Sequence, residues 1–170
     1  MTIERVSTGT KGTGSSSLTV GEPGSTATGD VLLCFVIGKC TVSTSPEATM
    51  TGWTKVKEHH YKRQIYMAIF SYVLGSTPSF SVTGLNSCTN SSGVAVAYRG
   101  VDNTTPVNIV HPTGTGGNSS TATIPPITTT VVNTMVIAPV GTVAANATVG
   151  AISGTTPTLT EFYEDYGGTS

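Results

Sequence analysis

Glycine, proline, serine and threonine fall so often along this chain that no window of ordinary helix length keeps a helical apolar period. Between those breaks, short β-branched and aromatic runs recur, which is the pattern of strands. Strands are expected near Ile3–Ser7, Ser16–Val20, Val31–Gly38, Trp53–Tyr61, Ile65–Leu74, Ser79–Val82, Gly93–Arg99, Val107–Val110, Thr121–Ile124, Thr134–Gly141, Thr148–Ile152 and Thr158–Glu164. Many short strands within 170 residues predict an all-β fold. The expected architecture is a single antiparallel β-sandwich domain over residues 1–170, Ig-like or jelly-roll-like.

Two runs are apolar on both faces: Val31-Leu32-Leu33-Cys34-Phe35-Val36-Ile37 and Ile65-Tyr66-Met67-Ala68-Ile69-Phe70-Ser71-Tyr72-Val73. In an antiparallel sandwich one face normally meets water and alternates polar. Cover on the outer face, by a loop or a neighbouring chain, accounts for the pattern, and so does a large core. Charge points toward assembly more directly. Only 10% of residues are charged, and 32 threonines and 18 serines take their place. From Asn103 to Thr160 there is no Asp, Glu, Lys or Arg. Uncharged strand edges invite edge pairing unless something covers them. A subunit packed into an array tolerates this better than a free monomer, so a homo-oligomer with protein partners is expected.

Composition also excludes partners. A formal net charge of −1 is a poor match to a polyanion, so no nucleic acid is expected. No stretch approaches the apolar length of a membrane-spanning helix, and Met1–Arg5 lacks the apolar core of a signal peptide. No membrane partner is expected, and a chain released inside a particle by cell lysis fits these features.

No enzyme, cofactor or metal is expected. The chain has no GxSxG, HExxH, phosphate-binding glycine loop or calcium loop. Its histidines are His59, His60 and His111, and adjacent strand residues point to opposite faces, so His59 and His60 do not converge on one metal. Cys34, Cys40 and Cys88 are expected as buried thiols, with a Cys40–Cys88 bridge left open as the alternative. Half of the basic residues lie in Lys55–Arg63, expected as a strand end and a solvated hairpin, or as a contact to an acidic partner. Trp53 is expected in the core. A competing arrangement places Trp53 with Tyr61, Tyr66, Lys62 and Arg63 around a shallow site for a host surface glycan.

A set of short motifs carries a resemblance. Gly29-Asp30-Val31-Leu32-Leu33 is followed by Thr51-Gly52-Trp53-Thr54-Lys55-Val56, then by Val94-Ala95-Val96-Ala97-Tyr98-Arg99-Gly100-Val101-Asp102 and Thr105-Pro106-Val107. This pattern resembles a domain recurrent in bacteriophage structural proteins and some bacterial surface proteins, over Thr2 to Gly141. The resemblance implies an Ig-like or jelly-roll sandwich attached to a head, tail or fibre. Its motifs also have a physical reading: Gly52 turns the chain before Trp53, Asp102 bonds local amides, and Arg99 pairs with Asp102 or Asp30. The related pattern continues through further strands beyond a segment like Leu159–Tyr163, so the resemblance implies an incomplete sandwich, one completed by a neighbouring chain, or a chain that has been cut. The combined expectation is a non-enzymatic virion protein, a capsid decoration (cement) or fibre subunit assembled in the host cytoplasm. Its partners would be capsid, tail or fibre subunits. The alternative is a carbohydrate-binding adhesin domain.

Overall fold

A computed structural model describes residues 2–40, 46–61, 64–108, 110 and 128–140. Its strands are β1 (Glu4–Thr8), β2 (Gly12–Gly14), β3 (Leu18–Thr19), β4 (Val31–Cys40), β5 (Thr49–Met50), β6 (Thr54–Tyr61), β7 (Ile65–Val73), β8 (Ser81–Thr83) and β9 (Cys88–Arg99). The fold is an all-β sandwich of two antiparallel sheets. The larger sheet runs β1-β9-β4-β7-β6, with β2 also on β9, and the smaller runs β3-β8-β5.

The two double-sided apolar runs become β4 and β7, neighbours at the middle of the larger sheet, with β9 on the other side of β4. Register decides which side chain faces which way. Cys34 lies opposite Phe70 and Ala95, and Val36 opposite Ala68 and Gly93. These residues, with Leu32, Tyr66 and Ala97, point at the smaller sheet and join Leu18, Val20, Met50, Val82 and Leu85 in one core. Each large apolar side chain buried there contributes roughly 1.5–3 kcal/mol relative to exposure. The inward positions of β9 are small for a reason. A Cβ on Gly93 would come within 3.1 Å of the Val20 side chain and 3.3 Å of Leu18, so β9 stays slim where β3 crosses it.

Trp53 lies in this core at 8% exposure, its rings set 5.6 Å from Tyr72 and 5.7 Å from Phe80. Its Nε1–H donates to the Ser79 carbonyl at 2.8 Å. The turn before it is made by Gly52 at φ +84°, a left-handed conformation that glycine adopts without steric cost.

Several sequence expectations shift. The tripeptide β2, the two-residue β5 and the Cys88–Ser92 half of β9 were not anticipated. Val107, Asn108 and Val110 form no strand, nor do residues 134–140. Both segments are β-branched enough to suggest strands, but neither is paired in a ladder, which is what a strand requires. The expected strands at Thr121–Ile124, Thr148–Ile152 and Thr158–Glu164 lie outside the described residues. Cys40 and Cys88 are joined by a disulfide across the β4–β9 ladder, which corrects the expectation of three thiols; Cys34 alone is free, and buried.

Candidate functional site

The side chains proposed for a sugar site divide between the two faces of the larger sheet. Tyr66 is fully buried on the inward face. Its hydroxyl donates to Glu58 Oε2 at 3.3 Å and accepts from the Ala48 amide at 2.9 Å. Burial pushes the Tyr66 phenol well above its ordinary value, with the nearby Glu58 carboxylate adding to the rise. Tyr61 lies opposite Ile65, on the outward face, and is half-buried. Trp53 faces inward, in the core. Lys62 and Arg63 lie outside the described residues. Trp53, Tyr61 and Tyr66 therefore do not form a common ring platform.

The basic block has a geometry that simple alternation hides. A bulge between Lys55 and Lys57 shifts β6 by one residue against β7. Lys55 and Glu58 then fall on the same inward side, where Lys55 Nζ donates to Glu58 Oε2 at 2.8 Å. That bond holds the Glu58 carboxyl below its usual range, against the opposing effect of partial burial. The same bulge sends Lys57, His59 and Tyr61 outward, opposite Ile69, Met67 and Ile65. His60 stays inward against Tyr66, with ring centroids 4.9 Å apart. The two histidines do face opposite ways, and among the described residues no group of three or more His, Cys, Asp or Glu could hold a metal ion. His111 lies outside the described residues.

Two surfaces remain as candidates for contact with another molecule. The first is the outward face of the larger sheet. Leu33, Phe35 and Ile37 on β4, Met67 and Ile69 on β7, and Val94 on β9 share it by register and are only half-buried. None belongs to the core between the sheets. At one end of this face Val31, Val96 and Tyr98 are buried, again outside that core. The second surface lies in the charge-free stretch. The large hydrophobics that stand exposed among the described residues are Val110, Val131, Val132, Ile137 and Val140, and all fall between Asn103 and Thr160. Val132 is 85% exposed.

The resemblance motifs are structural. Arg99 reaches across to Asp30 with two parallel bonds, Nε to Oδ1 at 2.9 Å and a terminal nitrogen to Oδ2 at 2.8 Å. Of the two partners open to Arg99, Asp30 is the one it takes. Asp102 instead accepts from the Thr104 amide at 2.8 Å and from Thr105, closing its own turn. No described helix is long and apolar enough to cross a membrane. In comparisons with protein-family models, curated proteins and solved structures, no match to the chain was found.

Proposed function

We propose that this chain is a non-enzymatic virion structural protein, a decoration or fibre subunit that stabilises a bacteriophage particle through protein–protein contacts. The observation that carries this reading is the coincidence of two independent features in one stretch. The residues without any charge, Asn103–Thr160, also carry the exposed large hydrophobics of the described chain. Contiguous exposed apolar surface marks contact sites, and interface centres are depleted of charged residues. The Gly29–Leu33, Gly52–Trp53 and Tyr98–Asp102 motifs add the resemblance to phage structural domains. The sugar-binding alternative drew on Trp53, and a tryptophan at 8% exposure offers no stacking surface, so nothing favours that second reading.

Light scattering on the purified chain tests the proposal. A trimer or larger species is expected, dissociating when Val131 and Val132 are both replaced by Asp. A chain that stays monomeric at millimolar concentration, unchanged by that double substitution, would overturn it.

A further inference from the structure

The Cys40–Cys88 bond joins strand ends that the fold already holds in place. Nine regular rungs, from Val31 opposite Tyr98 to Lys39 opposite Asn90, align β4 with β9, and β7 pairs with the other side of β4 over the same nine residues. The cysteines form one rung more, reached by a shift that skips Thr89. Register therefore brings the two sulfurs together without help from a bond. Two thiols also suit the site. A Cβ on Gly38 would come within 3.0 Å of Cys88 Sγ and 3.4 Å of Cys40 Sγ, so its bare Cα leaves the sulfurs room. The Gly38 carbonyl oxygen, 3.6 Å from Cys40 Sγ, is placed to accept a bond from an S–H there.

What the bond adds lies in the turn before Cys88. The Cys88 amide donates to the Leu85 carbonyl at 3.1 Å, and Ser87 inside that turn holds φ +70°, a left-handed conformation unfavourable for a residue with a side chain. The same turn carries two ties to the smaller sheet. The Leu85 amide donates to the Ser16 carbonyl at 3.1 Å, just before β3, and the Glu47 amide donates to the Gly84 carbonyl at 3.1 Å, just before β5. β3 and β5 have two residues each, so little ladder of their own holds them. We propose that Cys40–Cys88 is a redox-operated clamp between two folded states. Closed, it fixes the Gly84–Cys88 turn and, through it, both edges of the smaller sheet. Open, the larger sheet keeps its register while the turn relaxes and β3 and β5 loosen. Closing forms the Sγ–Sγ bond as two thiol protons and two electrons pass to a small disulfide such as oxidised glutathione, which is split into two thiols. The cysteines are only 4% and 6% exposed, but each ends its strand, and fraying of one rung admits the reagent. A chain made among reducing thiols carries the open form and closes it on entering oxidising surroundings.

Two-dimensional amide spectra of the full chain, oxidised with glutathione disulfide and reduced with dithiothreitol, test the clamp. Both spectra are expected to be dispersed, with Ala68–Ser71 of β7 at the same shifts in each. Leu18, Thr19 and Glu47–Met50 neighbour neither cysteine in sequence or register. Their signals are expected to shift and weaken on reduction and to return on reoxidation. Cys40→Ser with Cys88→Ser is expected to give the reduced pattern and to ignore both reagents. Ser87→Gly, which takes φ +70° freely, is expected to shrink the difference between the states. Changes confined to Lys39–Cys40 and Cys88–Thr89 would overturn the proposal, by making the bond an inert staple. Loss of dispersion throughout β7 on reduction would overturn it as well, because the bond would then be a condition of the fold and not a switch within it.

Discussion

Asp30 is 3% exposed on its side chain, yet three donors meet its carboxylate: the Ala27 amide at 2.8 Å and the two Arg99 nitrogens. The hydrogen bond from Arg99 holds its carboxyl below the ordinary range and outweighs the opposing effect of burial. A folded-state value below the unfolded one gives stability that is present above the ordinary carboxylate range and lost as pH falls through the folded value. Asp30→Asn keeps the shape and removes the charge. It is expected to lower the unfolding free energy at neutral pH by about 1.5–3 kcal/mol, the range for bonds to charged groups. The gap to the parent should narrow steadily at acid pH, where the parent's own carboxylate takes up a proton. Urea unfolding at neutral pH and in acid checks both, and a gap that is the same in each would refute this account. Trp53→Phe probes the other anchor: it keeps most of the apolar area and removes the bond to Ser79, for an expected loss of about 1 kcal/mol. The partner of Arg99 was open in the sequence because Asp102 and Asp30 both suit a guanidinium. Only the fold brings Asp30 across from a position 69 residues away.

At the scale of strands, alternation and turn residues carried far. β1, β3, β4, β6, β7 and β8 lie where the β-branched and aromatic runs predict them, and the double-sided runs fall at the centre of the larger sheet. What escaped has a common cause, which is that pairing partners are set by register across distant parts of the chain. β2 is Gly-Thr-Gly, without a side chain that signals a strand; its ladder is with β9, and its bare backbone lies close against β3. A Cβ on Gly12 would sit 2.0 Å from the Thr19 carbonyl oxygen, so Gly12→Ala is expected to part the β2–β3 crossing, read as faster amide exchange at Gly12–Gly14 than in the parent. The disulfide was equally hidden, because only the β4–β9 register sets Cys40 against Cys88. The two cysteines are 48 positions apart, so reducing the bond is expected to cost up to about 4 kcal/mol through the chain entropy it returns to the unfolded state. Burial pushes the Cys34 thiol up to about 12. The native oxidised chain should therefore take up no alkylating reagent and the reduced chain two equivalents, with a fall in urea midpoint between them. The same dependence on register explains the basic block: the bulge in β6 is what puts Lys55 on the same side of the sheet as Glu58.

For the whole molecule, the proposed contact has a physical character that can be measured. Association through Asn103–Thr160 would bury Val131, Val132 and their neighbours with no ionic group of that stretch taking part. Screening acts on charges, so raising sodium chloride from about 0.05 M to about 0.5 M, which shortens the Debye length from roughly 14 Å to roughly 4 Å, should leave the assembly constant within about twofold. Apolar contact weakens on cooling, so the same oligomer should dissociate measurably between room temperature and ice temperature. Light scattering on one sample across salt and temperature therefore checks both expectations. If the oligomer dissolves in salt and survives cooling, ion pairs hold it, and a charge-free stretch cannot be its interface.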